Sequence, residues 1–314
     1  MESDDAAARP QVLVPYPGPE ADPNVEDIFV YMRPETNGVV GEAEVLRVIE
    51  ESPQYKTDLN LVYLANIPGP FIMENHVVER HYAVKMAFAV HGKSIFTEHM
   101  KRRFREHFEE NFDSAPIIGA FEALDRLGIR AEELFQQWVD EPDILVVDAQ
   151  SIKRVGAYFV VNYDIPALIH KNNRNTDIAV MLFRTRMSYE HFLLLTARMR
   201  EGFIRRGLLD TQGHVSRVFH FSKSPVEQIL DARGYLYEPD GSNVTTDRVS
   251  FAAYLMANGV SRREIDGILD NPIAWFRTEE GIVEDHVVPH TRNDGYPDAL
   301  EKLRSMVAQH RIPL

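Results

Sequence analysis

The chain of 314 residues contains no cysteine and no long apolar run. The first absence excludes disulfides, thiol nucleophiles, zinc–thiolate sites and iron–sulfur clusters together. The most apolar stretches, such as Ile178-Ala-Val-Met-Leu-Phe183, fall far short of the roughly 20 residues a membrane-crossing helix needs. The first thirty residues lack a basic start followed by an apolar stretch, so no signal peptide, no membrane partner and a cytoplasmic location are expected. Positive charge is also scarce: 34 Lys/Arg against 48 Asp/Glu leave a net charge of −14. Phosphate neutralisation needs a dominant cationic field, so general duplex DNA binding is not expected of such a body.

What the chain does contain is enough apolar residue, 44%, to bury one large core or two modest ones. Residues 1–24 carry Pro10, Pro15, Pro17, Pro19 and Pro23 among acidic and small residues, a composition that predicts a disordered acidic tail. Apolar periodicity predicts strands at Ile28–Arg33, Leu59–Ala65, Tyr82–Val90, Ile144–Asp148, Tyr158–Val161, Ile178–Phe183 and Val215–Phe221. Helices are predicted near Glu42–Glu51, after a Thr97 cap, over Ala120–Val139 as one helix or a helix pair, from Ser188 to Gly207, and from Pro225 to Gly234. The clearest element is the helix after Thr97, where Phe96, Met100, Phe104, Phe108 and Phe112 recur every four residues. Residues 178–221 read as a β–α–β unit. Beyond Glu238-Pro-Asp-Gly-Ser-Asn243 the pattern turns helical, at Asp247–Asn258 and at Ser261–Leu269, where Ser261 and Glu264 make a capping box. The expected fold is α/β or α+β: a mixed sheet flanked by helices over residues 25–235, with lobes 25–140 and 141–235, and a mostly helical C-terminal part, 236–314.

Charge is distributed unevenly. Residues 76–107 hold seven Lys/Arg against three Asp/Glu, and residues 170–206 hold eight against three. Local positive charge in an acidic protein can attract an anion. Much of it can also be neutralised along a helix face, since Arg102 lies four residues before Glu106 and Arg105 four before Glu109. The polar stretch from Asn162 to Asp177 gathers His170, Lys171, Asn172, Asn173, Arg174 and Asn175, which suits a ligand-contacting loop or a hairpin tip. Lys93, in His91-Gly-Lys-Ser94, stands where a phosphate loop would, but Ala87 replaces the glycine that a wrapped loop requires. Asp148 closes a strand, where α/β proteins place functional carboxylates and where a turn carboxylate also belongs. No Gly-x-Ser-x-Gly elbow and no His-Glu-x-x-His pair is present.

The segment Val283-Glu-Asp-His-Val-Val-Pro-His-Thr-Arg-Asn-Asp-Gly295 resembles the Asp-His-x-x-Pro core of HNH endonucleases. By that resemblance His286 would be a general base and Asp285 a ligand for a divalent metal; His290 could pair with His286 on such an ion. Ala299 stands where the family has its central Asn. Residues 28–66 resemble the opening of nucleoside diphosphate kinases, with Arg33-Pro-Glu35 where that family has Lys-Pro-Asp, but the catalytic Asn-x-x-His-Gly is missing. The two resemblances are mutually incompatible, and neither assigns the chain to a family.

The function expected is therefore that of a non-catalytic cytoplasmic binding or assembly protein. It would dock an anionic protein or nucleotide on Lys93, Arg102, Arg103, Arg105, His170, Lys171, Arg174 and Arg198. One alternative is a metal-dependent phosphodiesterase or nuclease using His286, with Asp285 and His290 as further metal ligands; another is a nucleotide-binding enzyme. No cofactor is predicted beyond a divalent metal for the first alternative.

Overall fold

The computed structural model describes residues 9–33, 37–210 and 219–313. Its twelve strands are β1 (Gln11–Val14), β2 (Glu26–Met32), β3 (Leu59–Ile67), β4 (Ile117–Gly119), β5 (Ile144–Val147), β6 (Gln150–Val155), β7 (Tyr158–Val161), β8 (Ile178–Thr185), β9 (Phe219–Phe221), β10 (Ile273–Thr278), β11 (Gly281–His286) and β12 (Met306–Gln309). Among the described residues they form three sheets flanked by helices, a mixed α+β fold. No helix among these residues is long and apolar enough to cross a membrane. The chain divides into two compact units, each built from three separate stretches: residues 1–81, 172–265 and 291–302 in the first, and 82–171, 266–290 and 303–314 in the second.

The first unit is built on a five-stranded sheet in the order β1-β3-β8-β2-β9. Every residue of β2 is buried, so this strand is covered on both faces. Alternation sends Ile28, Val30 and Met32 into a cluster with Val45, Phe192, Leu195 and Phe203 from the helices Val39–Glu50 and Tyr189–Arg205. On the opposite face Tyr31 packs its ring 4.5 Å from that of Tyr235, on the helix Pro225–Tyr235. Both β8 and β9 run antiparallel to β2 and flank it, so they are parallel to each other and the expected β–α–β unit skips one strand. Ser188 caps the crossing helix at His191 N–H, and Ser224 caps the next at Glu227 N–H, with Pro225 in its first turn. Of the strand expected at Val215–Phe221, residues 215–218 lie outside the described residues, as do Pro34 and Glu35 of the Arg-Pro-Glu site.

The tail expected over residues 1–24 is corrected in its described part. β1 pairs with β3, Tyr16 is buried, and its hydroxyl donates to Asp27 at 3.1 Å. Proline-rich composition was outweighed here by a strand edge that offered backbone partners and by an aromatic anchor. Residues 1–8 lie outside the described residues.

The second unit carries two sheets. In β4-β7-β6-β5 the β4–β7 pair is parallel and the others antiparallel; β11-β10-β12 is antiparallel throughout. The predicted Phe row holds: Met100, Phe104, Phe108 and Phe112 are buried, with Phe104 and Phe108 4.8 and 4.7 Å from the ring of Phe159 on β7. Thr97 accepts from Met100 N–H at 3.1 Å and starts the helix Glu98–Phe108 as expected. Tyr82–Val90 is not a strand but the helix Ala83–His91. Its alternation misleads because each apolar pair is also an i,i+4 pair: Val84 and Phe88 face one core cluster, Tyr82 and Met86 another. His91-Gly-Lys-Ser94 accordingly follows a helix and forms a single 3₁₀ turn.

One further expectation is corrected. The polar stretch 162–177 is not a hairpin tip, since Ile165–Lys171 is helical and β7 and β8 belong to different sheets. The C-terminal part carries the expected helices Ser250–Ala257 and Arg262–Asp270, and with them a small sheet: β10 and β11 form a hairpin in register from Ile273↔His286 to Thr278↔Gly281, and β12 pairs with β10.

β5 and β6 are joined by a two-residue turn, Asp148-Ala149, with φ of 48° and 61°. Both central residues of a type I′ turn need this left-handed region, which is costly for alanine. Ala149→Gly is expected to raise stability by about 1 kcal/mol. Equilibrium urea unfolding checks it, and an unchanged midpoint would refute the strain.

Candidate metal centre

Three elements of the second unit bring His99, Asp148 and Glu284 together. His99 stands in the first turn of the helix Glu98–Phe108, Asp148 in the β5–β6 turn, and Glu284 on β11. One potential ligand atom from each lies within 4.8 Å of the other two. Asp148 is 7% exposed, and its Oδ2 and the Nδ1 of His99 are buried atoms without a hydrogen-bond partner. Buried polar atoms are normally satisfied, so two such atoms on residues that converge with Glu284 mark a place where a cation would complete the bonding. Burial, then the neighbouring charges of Glu284 and Asp285, push the Asp148 carboxyl up to about 7. Burial lowers the pKa of His99 against the opposing charge of Glu284, with Arg102 and Arg103 adding to the lowering, which favours the neutral imidazole that metals bind.

Glu284 is held in place. Its side chain is 5% exposed, Oε1 accepts from the Thr97 hydroxyl, and Oε2 lies 2.8 Å from Nε2 of His310. Such outer contacts fix a carboxylate in the orientation a cation needs. The period of two along β10 and β11 puts Trp275, Ile282 and Glu284 on one sheet face, and the β12 pairing Trp275↔Ala308 brings His310 beside them. That face and the helix residues Glu98, His99 and Arg102 line a cleft of about 250 Å³. Two of the three candidate ligand residues, His99 and Glu284, thus line the cleft, while Asp148 is buried beside them.

One imidazole and two carboxylates make a hard-to-borderline donor set, suited to Mn²⁺, Zn²⁺ or Fe²⁺. Three protein ligands leave coordination positions for water or an anion, and an ion so placed polarises what it binds and acidifies bound water.

The sequence-derived candidates fare unevenly. Of the eight basic-surface residues, Arg102 lines the cleft. Lys93 donates to the carbonyls of Asp113 and Ala115, Arg103 pairs with Glu106 at 3.1 Å, and Lys171 pairs with Glu132 at 3.6 Å. Arg105 and His170 are exposed on the second unit. Arg174 is exposed on the first, where Arg198 donates to Ser52 Oγ at 2.7 Å and lies over the Tyr55 ring. In the segment resembling the HNH core, Asp285 Oδ1 accepts from His286 N–H, and its Oδ2 lies 3.3 Å from His290 Nδ1. His286 accepts from Val288 N–H on Nδ1, and burial pushes it down to about 4, too weak for the general base the resemblance implied. The convergent carboxylate is the residue before them, Glu284.

A second group of buried ionisable residues belongs to the first unit. His81 Nε2 lies 3.6 Å from Asp231, whose Oδ2 accepts from the Ser222 hydroxyl at 2.7 Å. His220 Nε2 lies 3.5 Å from both Glu227 and Asp231. Burial keeps both imidazoles neutral, pushing His81 down to about 4 and His220 to about 3, and lifts Asp231 to about 6. His220 Nε2 and Asp231 Oδ1 are likewise buried without a hydrogen-bond partner, but the group at Glu284 adjoins a cleft and is the stronger candidate. No protein-family model, curated protein or solved structure matches the chain.

Proposed function

We propose that the chain is a divalent-cation-binding protein whose ion, held by His99, Asp148 and Glu284, presents open coordination positions to an anionic ligand in the adjoining cleft. The observation that carries this reading is the convergence of His99, Asp148 and Glu284, two of which also carry a buried atom without a hydrogen-bond partner, His99 Nδ1 and Asp148 Oδ2. It retains the docking of an anion expected from the basic helix but gives that role to the metal and Arg102 rather than to a broad cationic surface. Because the open positions could equally activate water, metal-dependent hydrolysis is the second reading, now centred on Glu284 rather than His286.

Thermal denaturation with Mn²⁺ or Zn²⁺, reversed by a chelator, tests it. An ion at about a hundredfold excess over its Kd stabilises the folded state by about 2.7 kcal/mol. The wild-type chain is expected to show this rise, and Glu284→Gln and Asp148→Asn to abolish it. Asn tolerates the positive φ of 48° at position 148, so the second variant keeps the turn. A rise that survives both substitutions, or none in the wild type, would refute the site.

A further inference from the structure

Resting on the cation reading, the geometry points to a ligand class for the cleft: a phosphate monoester carrying a planar ring, of the size of a nucleoside monophosphate. Three features of the lining set this. Glu98 and Glu284 place two carboxylates on the wall, so an anion enters only when a cation offsets them. Arg102 then supplies a second positive group. Its own ion pair, to Glu106, is long at 3.9 Å, and its side chain is 59% exposed, which leaves the guanidinium fork available. Glu98 is engaged by Lys101 at 2.7 Å and does not compete for Arg102 at that distance. A tetrahedral phosphate can bridge a metal and a guanidinium at once, using different oxygens for each.

The remaining wall is formed by Trp275, Ile282 and His310. Trp275 packs on His310 with ring centroids 3.8 Å apart, and Ile282, 61% exposed, stands beside it on the same sheet face. An exposed isoleucine next to an indole, in a cleft otherwise lined by charge, suits a planar ring laid against it. At about 250 Å³ the cleft lies just below the usual small-molecule range, roughly 300–1,000 Å³, and suits one nucleotide rather than a strand.

Calorimetry on the full chain, with inorganic phosphate and adenosine monophosphate as probes, tests this with and without Mn²⁺. The Mn²⁺-loaded chain should bind both, the nucleotide about tenfold tighter, a margin of roughly 1.4 kcal/mol. The chelated chain should bind neither. Arg102→Ala should weaken both probes about tenfold. Ile282→Ser, at an exposed position where folding is not at stake, should weaken the nucleotide alone. If Mn²⁺ binds but phosphate does not, or if the nucleotide binds no tighter than phosphate, the ligand assignment is overturned while the cation site stands. A chain that takes up no Mn²⁺ overturns both.

Discussion

Glu26→Gln is expected to remove most of a stability loss that the wild-type chain suffers between about pH 4.5 and pH 8. Glu26 opens β2 and is 8% exposed, with its Oε2 buried and without a hydrogen-bond partner. Burial, opposed by the Tyr189 hydroxyl and reinforced by the nearby carboxylates of Asp294 and Asp27, pushes its carboxyl up to about 8. The folded state therefore holds a proton that the unfolded chain, with an ordinary glutamate, has released. Stability from this group is fully present below the unfolded value and is lost as pH rises through the folded one. A shift of that size corresponds to roughly 5 kcal/mol across the window. Glutamine copies the protonated side chain and does not titrate. At about pH 5 the two proteins should unfold at similar urea concentrations, and at about pH 8.5 the variant should be more stable by several kcal/mol. Parallel pH profiles for the two proteins would show that Glu26 ionises normally in the folded state.

The same physics separates what the sequence disclosed from what it did not. The helix Glu98–Phe108 was legible because its signals are local: a Thr97 cap, an every-fourth-residue apolar row, and charge on the other face. Asp148 could be singled out by its place at a strand end, and Arg102 by its basic window. His99 and Glu284 could not be joined to Asp148, because each is a single ligand on a different element and no spacing rule links them. The one usable sign was that Glu284 stands in a strand alternating with Ile282 and His286. That strand went unrecognised, as did β10 and β12, because their apolar runs are short and mixed with charge. Helix and strand were confused where the two periods coincide, at Val84 and Phe88. The partition into units was beyond reach for another reason: each unit is assembled from three separate stretches, so no linker composition marks the boundary.

The N-terminal segment shows how one buried charge can order a chain that composition assigns to disorder, and Asp27→Ala is expected to cost about 3–5 kcal/mol. Asp27 on β2 lies directly across from Arg184 on β8 and accepts from its Nε at 2.7 Å and its Nη2 at 3.0 Å. The same carboxylate accepts from Ser250 at 2.6 Å and from Tyr16, while Arg184 reaches on to the carbonyl of Gly18 and lies 3.6 Å from Glu20. Asp27 is 1% exposed, so its removal leaves a largely enclosed guanidinium with Glu20 as its remaining nearby carboxylate, and leaves the paired hydroxyls of Tyr16 and Ser250 one acceptor short. Unfolding in urea should register the loss, and limited proteolysis should open residues 9–24 to cleavage before the rest of the first unit. Replacing both partners, Asp27→Leu with Arg184→Met, should recover much of the stability, since a buried pair exchanged for apolar side chains no longer strands a charge. A single Asp27→Ala substitution costing less than about 1 kcal/mol would mean that solvent reaches Arg184 and that the anchor lies elsewhere.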